Sequence, residues 1–210
     1  MFDKQNRIII VDNVESQLES LGKSFFQNGL GCRTFLYDMT YDEPLENIRV
    51  AFFDINLTEK AVDTTSDIPE EILRHNTAVF NDLALALNQY ISKNNGPYVL
   101  IFWTANVKVV DAFKLFMQDT GRGYTDTASP IFIDSIDKTP YLEDDQGQDL
   151  SARVLELLNS NEKIKFLFNI EDNSRKSGER TYNKLLQIIP KDAEWGNTVL
   201  LFENLDKILS

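Results

Sequence analysis

The side chains in this chain that could do chemistry recur at one kind of place, directly after short apolar runs. Asp12-Asn13 follows Arg7–Val11 (RIIIV), Asp54 follows Arg49–Phe53 (RVAFF), and Thr104-Ala105 follows Tyr98–Trp103 (YVLIFW). Lys138 lies in the loop after a fourth run, Pro130–Ile133 (PIFI). A carboxylate attacks phosphorus usefully only when the phosphoryl charge is neutralised and the donor is held in line. Carboxylate oxygens are ligands that magnesium prefers, a lysine supplies a point charge, and a threonine supplies a hydroxyl donor. These are the group types for phosphoryl transfer onto a carboxylate, provided the fold gathers them.

The elements between them say how that gathering would happen. Unbroken rather than alternating hydrophobicity suggests strands covered on both faces, as in parallel sheets. A weaker run, Arg33–Tyr37 (RTFLY), completes five strands. Helical stripes alternate with them. Val14, Leu18, Leu21 and Phe25 stop at Asn28-Gly29, and Phe80, Leu83, Leu87, Tyr90 and Ile91 stop at Asn94–Pro97. Val109, Phe113 and Phe116 end near Gly121-Arg122-Gly123. Leu150, Val154, Leu157 and Leu158 follow Asp149, a candidate N-cap. The stretch 40–48 has room for at most two helical turns. This alternation predicts an α/β protein with a doubly wound, right-handed, five-stranded parallel sheet, whose ligand site forms at the carboxyl ends of the strands. Residues 159–210 are read as an appended helical extension to a domain of residues 1–158. The last stripe (Val199, Phe202, Leu205, Ile208, Leu209) reaches the final residue with no stop signal, as expected where a polypeptide continues.

Composition excludes several classes. The net charge is −12, from 33 acidic and 21 basic residues. Polyanion binding depends on neutralising phosphates, so no direct nucleic-acid partner is expected, and the densest basic run (Arg175, Lys176, Arg180) reads as a solvated helix face. A single histidine, His75, read as a surface or helix-start residue, argues against histidine zinc sites and histidine-dependent triads. One cysteine, Cys32, precludes an internal disulfide and suggests a buried filler in a reducing compartment. No stretch approaches the roughly 20 apolar residues of a membrane helix, and the N-terminus lacks a signal-peptide pattern. A cytoplasmic location without membrane contact is expected.

The segments IIIVDN, FFDINLT, LIFWTA and Lys138-Thr139-Pro140, in this order, resemble the first strand, phosphoacceptor strand, switch-threonine strand and lysine–proline turn of response-regulator receiver domains. The resemblance covers roughly residues 7–158 and implies the flavodoxin-like version of the predicted fold. It implies Asp54 as phosphoacceptor, with Thr104 and Lys138 as its catalytic partners. It also implies Mg²⁺ held by Asp12, Asp54 and the backbone carbonyl near Asn56. The phosphodonor would be a histidine kinase, and the output a downstream protein effector or a homodimer. The organisation is also similar to receiver-like domains of bacterial conflict and defence systems, which carry long inserts.

The chain departs from that pattern in three places. The second acidic residue expected after the first strand is Asn13, a doubtful metal ligand that Glu15 would only partly replace; metal affinity should fall. Thr139 separates Lys138 from Pro140, which would move the family's cis bond to Thr139-Pro140. Residues 58–77 insert a polar, acidic loop beside the site, which reads either as a lid or partner surface or as a tolerated insertion.

Other readings stand beside this one. Asp12 could cap the first helix, Asp54 could organise an Asx turn, Thr104 could cap the helix carrying Val109, and Lys138 could be a solvated lysine. Trp103 reads as core, and 121–123 as a turn rather than a phosphate loop. Asn13 favours a pseudo-receiver that binds partners without phosphorylation. The run Asp54-Ile55-Asn56-Leu57-Thr58 is also similar to the nucleophile loop of haloacid-dehalogenase-type phosphohydrolases, with Thr104 and Glu143-Asp144-Asp145 in their later motifs. That chemistry needs a second aspartate where Asn56 stands, and a nucleophile on the first core strand.

Overall fold

In the computed structural model, residues 7–58, 60–118, 129–142, 150–188, 203 and 206 are described. Five strands form one sheet: β1 Ile8–Asp12, β2 Arg33–Leu36, β3 Val50–Phe53, β4 Val99–Thr104 and β5 Phe132–Asp137. All neighbours pair parallel, in the order β2-β1-β3-β4-β5. Every position of β1, β3 and β4 is buried, which is why these three read as unbroken apolar runs. The edge strand β2 alternates between half-buried and exposed.

Side-chain alternation along the strands separates two covering layers. Ile9, Val11, Ala51, Phe53, Leu100 and Phe102 share a core with α3 (Thr77–Tyr90) and α4 (Val109–Gln118). Edge-to-face ring contacts between Phe53 and Tyr90 and between Phe102 and Phe113 mark it. The intervening residues belong to the layer of α1 (Glu15–Gln27), where Phe25 meets Phe52 at 5.1 Å. Helix α6 (Leu150–Ser160) packs beside α1, and Asn28 Nδ2 donates to the Ser151 carbonyl and hydroxyl oxygens. Gly29, at φ +69, ends α1: its N–H goes to the Phe26 carbonyl and that of Leu30 to the Phe25 carbonyl, a Schellman closure that a β-carbon would strain. The flavodoxin-like α/β architecture is thus present.

Two expectations, on the fifth strand and on the insertion, are corrected, and the one on residues 40–48 is made definite. The fifth strand lies at Phe132–Asp137 rather than at 130–133. It is an edge strand whose Asp134, Ser135 and Asp137 broke the apolar run that marks buried strands. Residues 40–48 form no helix. Leu45 instead bridges to Ile91 in parallel, while Tyr41 stacks on Tyr90 at 4.6 Å and Phe35 meets both rings edge-on. Aromatic area covers what a crossover helix would have covered.

The insertion is more than a loop. It contains α2 (Pro69–His75), whose buried Ile72 joins the core and which packs against α4. Asn76, 1% exposed, stands between α2 and α3 and clasps the loop. Its Oδ1 accepts the Asp63 N–H at 2.8 Å, and its Nδ2 donates to the carbonyls of Asp63 and Ile72 at 2.8 and 2.9 Å. His75 is exposed at the end of α2, the surface placement expected of it rather than a helix start, with Nδ1 at 3.4 Å from the Asp63 carboxylate.

The short helix α5 (Thr139–Leu142) and the long α7 (Glu162–Ile188) complete the described elements. The chain divides into two compact units, residues 1–164 and 165–210. In the second, Arg175 pairs with Asp172 and Glu179, and Lys176 with Asp172, along an exposed part of α7; the basic run is a solvated face, as its sequence suggested. No described helix is long and apolar enough to cross a membrane. Cys32 is half-buried just before β2. Asp149, 121–123 and the stripe from Val199 to Leu209 lie outside the described residues.

Because the Asn76 side chain bonds the Asp63 N–H and carbonyl and the Ile72 carbonyl, Asn76→Ala should cost about 1–3 kcal/mol in urea unfolding. Limited proteolysis should cut the stretch 60–68 faster in that variant while the central strands stay protected against hydrogen exchange.

Candidate functional site

Strand order alone brings the singled-out residues together. From β1 the chain passes to β2 on one side, and from β3 to β4 on the other, so the carboxyl ends of β1 and β3 flank the point where the sheet's winding reverses. Asp12 is the last residue of β1, and Asp54 follows β3, its N–H continuing the ladder to the Val11 carbonyl at 3.0 Å. Thr104 ends β4. The β4–β5 pairing sets it opposite Asp137, so Lys138 emerges beside it and donates its N–H to the Thr104 carbonyl. The long sequence separation between Thr104 and Lys138 is closed by this one parallel pairing.

All four side chains are sealed from water: Asp12 and Thr104 are 0% exposed, Asp54 2% and Lys138 5%. The Lys138 ammonium lies 2.7 Å from Asp54 Oδ2, 2.6 Å from Gln17 Oε1 and 3.8 Å from Asp12 Oδ2. A buried charge is tolerated only with a partner and satisfied hydrogen bonds, and the lysine has both. The solvated-lysine reading therefore fails. The two carboxylates are less complete, because Asp12 Oδ2 and Asp54 Oδ1 each lack a hydrogen-bond donor. Burial pushes the Asp12 carboxyl up to about 6, opposed by the Lys138 charge and reinforced by that of Asp54.

The plain structural readings are met in part. Asp12 Oδ1 accepts the Val14 N–H at 2.9 Å and so shapes the turn into α1, but no side chain caps that helix. Asp54 makes no Asx turn; its one bonded oxygen faces Lys138. Thr104 Oγ1 accepts the Asn106 N–H at 3.1 Å, while α4 begins only at Val109, whose N–H goes to the Asn106 carbonyl. Thr104 thus organises the loop rather than capping the helix. Asn13 and Glu15 are exposed, and Asn56 is half-buried two residues past Asp54. The Thr139-Pro140 bond is trans, not cis: Pro140 sits in the first turn of α5, where its fixed φ suits a helix start. Trp103 is core, 1% exposed, with Tyr141 at 5.8 Å. Residues 143–145 lie outside the described set.

Gln17 was not anticipated. It lies in the first turn of α1, among residues that read as the polar side of an amphipathic helix. The only available signal was its place five residues past a strand-end aspartate.

Among the described residues no group of three acidic, histidine or cysteine side chains could hold a metal. Two carboxylates, each with an oxygen lacking a donor, are nevertheless the hard oxygen pair that suits Mg²⁺ if a backbone carbonyl and waters complete the shell. Comparison with protein-family models, with curated proteins and with solved structures returned no match.

The raised Asp12 carboxyl has a consequence for stability. In metal-free buffer the native state holds this proton up to about pH 6 while the unfolded chain releases it near 3.8, so stability falls as pH rises between those values. Asp12→Asn should therefore stabilise the protein at pH 7.5, by about 2–3 kcal/mol. In urea unfolding that gain should shrink through pH 5 and vanish below about pH 4.

Proposed function

We propose that the first unit is a phosphoacceptor receiver module, with Asp54 taking a phosphoryl group from the phosphohistidine of a histidine kinase. The observation that carries this reading is the Lys138 ammonium 2.7 Å from a buried Asp54, at the strand ends where Asp12 and Thr104 also sit. A lysine brought across the end of β4 to a buried carboxylate has no evident packing purpose. It does have a chemical one, since it meets negative charge arriving on that carboxylate.

Asp54 Oδ1, the oxygen without a donor, attacks phosphorus; the P–N bond to the imidazole breaks, and the leaving nitrogen takes a proton. Lys138 follows the charge onto one phosphoryl oxygen. Thr104, whose Oγ1 already accepts the Asn106 N–H, offers its hydroxyl hydrogen to another. Asp12, Asp54 and the Asn56 carbonyl would hold Mg²⁺, which when bound neutralises phosphoryl oxygens. Attack of water on the acyl phosphate returns the carboxylate and inorganic phosphate. Movement of Thr104 would reposition the loop between β4 and α4, a population shift that a downstream effector or a second copy would read. A cytoplasmic, bacterial two-component setting, with no nucleic-acid or membrane contact, belongs to the same proposal.

Exposed Asn13 favours a second reading. With no third acidic ligand among the described residues, the module would bind partners without being phosphorylated, as a pseudo-receiver.

Titration with Mg²⁺ and then beryllofluoride, an acyl-phosphate mimic, separates the two. Trp103 fluorescence is the readout, because its ring lies near Tyr141, three residues past Lys138. A Trp195→Phe background removes the other tryptophan. The phosphoacceptor reading expects a saturable change that Asp54→Asn abolishes. A folded protein with no change would sink it and leave the pseudo-receiver.

A further inference from the structure

A lysine has a flexible four-carbon stem and three N–H donors, so its ammonium goes where its acceptors are fixed. Here the acceptors come from two sources. One is Asp54, the group that reacts. The other is Gln17, a neutral amide on α1, whose Oε1 accepts from the ammonium at 2.6 Å, as Asp54 Oδ2 does at 2.7 Å.

Gln17 is itself fixed from the site side. Its N–H donates to the Val14 carbonyl at 3.1 Å, and the Val14 N–H donates to Asp12 Oδ1 at 2.9 Å. From Asp12 through Val14, Gln17 and Lys138 to Asp54, a continuous chain of contacts ties β1, α1, β5 and β3 together. Gln17 adds no charge to this chain. Asp12, Asp54 and Lys138 alone set its balance.

We propose that Gln17 is a positioning residue that serves as the pivot of the Lys138 ammonium, a role that rests on the phosphoacceptor reading. When Asp54 becomes an acyl phosphate, the carboxylate that held the lysine is altered. The amide at Gln17 is not. One N–H stays on Gln17 Oε1 while the others swing from Asp54 Oδ2 to a phosphoryl oxygen. A neutral acceptor suits this better than a carboxylate, which would compete with the phosphoryl group for the cation. Lost contact at Gln17 would leave the lysine without a fixed hinge, even though its pairing with Asp54 remained.

The test uses full-length protein with ¹⁵N-labelled lysine. The Lys138 ammonium signal, assigned by its loss in Lys138→Arg, reports hydrogen bonding through slow proton exchange. Exchange should quicken at least about tenfold in Gln17→Leu, the factor expected for one hydrogen bond to a charged group, and recover in Gln17→Glu, which restores an acceptor. Beryllofluoride affinity, read from Trp103, should fall about tenfold in Gln17→Leu by the same arithmetic. It should recover only in part in Gln17→Glu, where the added charge competes. If Gln17→Leu does not fold, Gln17→Met keeps the shape without the acceptor. Unchanged ammonium exchange in either variant overturns the proposal. Quickened exchange with unchanged beryllofluoride affinity also overturns the pivot, leaving Gln17 a structural partner of a buried lysine. A wild-type protein that ignores beryllofluoride fails the phosphoacceptor reading itself, and the ammonium signal distinguishes that failure from a failure of Gln17.

Discussion

The pairing of Lys138 with Asp54 sets the terms for everything around it. Both groups are removed from water, and removing one partner of such a pair costs about 3–5 kcal/mol because the other is left as a bare buried charge. The sheet must therefore deliver them to each other. It does so across the end of β4, with the Lys138 backbone anchored to the Thr104 carbonyl and its ammonium drawn to the β3 side. Asp12, brought close by the β1–β3 pairing, gains from that positive charge, yet burial still dominates its environment. The strand ends thus hold three charges that tolerate each other only in this arrangement.

The covering layers show how such a site survives an irregular chain. The crossover between β2 and β3 has no helix, and the aromatic group of Phe35, Tyr41 and Tyr90 takes that place. The Tyr90 hydroxyl accepts the Asp38 N–H at 2.9 Å, so the same ring that fills the core also fixes the loop leaving β2. On the neighbouring flank the insertion has become part of the fold, held by Ile72 in the core and by Asn76 at its hinge. Both departures lie on the α3–α4 face. The strand ends carrying Asp12, Asp54, Thr104 and Lys138 are left in place.

Much of this was legible in the residues. Fully buried parallel strands leave an unmistakable trace, which is why β1, β3 and β4 and the acids and hydroxyl at their ends could be located. β5 left a fainter one, since an edge strand needs apolar residues on only part of its surface; Lys138 therefore looked remote from Thr104 until pairing closed the distance. The helical stripes of α1, α3, α4 and α6 were visible because each buries one face. Thr40–Ile48 resisted reading, since a segment stabilised by stacked rings has no period. Gln17 was out of reach for another reason: a polar residue at the rim of an amphipathic helix carries no mark of the lysine that, 121 positions later, comes to bond it.

The cation of this site arrives with the last strand of the sheet. Synthesis runs from the N-terminus, so β1, β3 and β4 leave the ribosome well before Lys138 does. Closed early, those strands would trap Asp12 and Asp54 against each other with no positive charge from the chain to offset them. The charge balance of the strand ends is thus completed only by the pairing of β5 with β4, which carries Lys138 to Asp54.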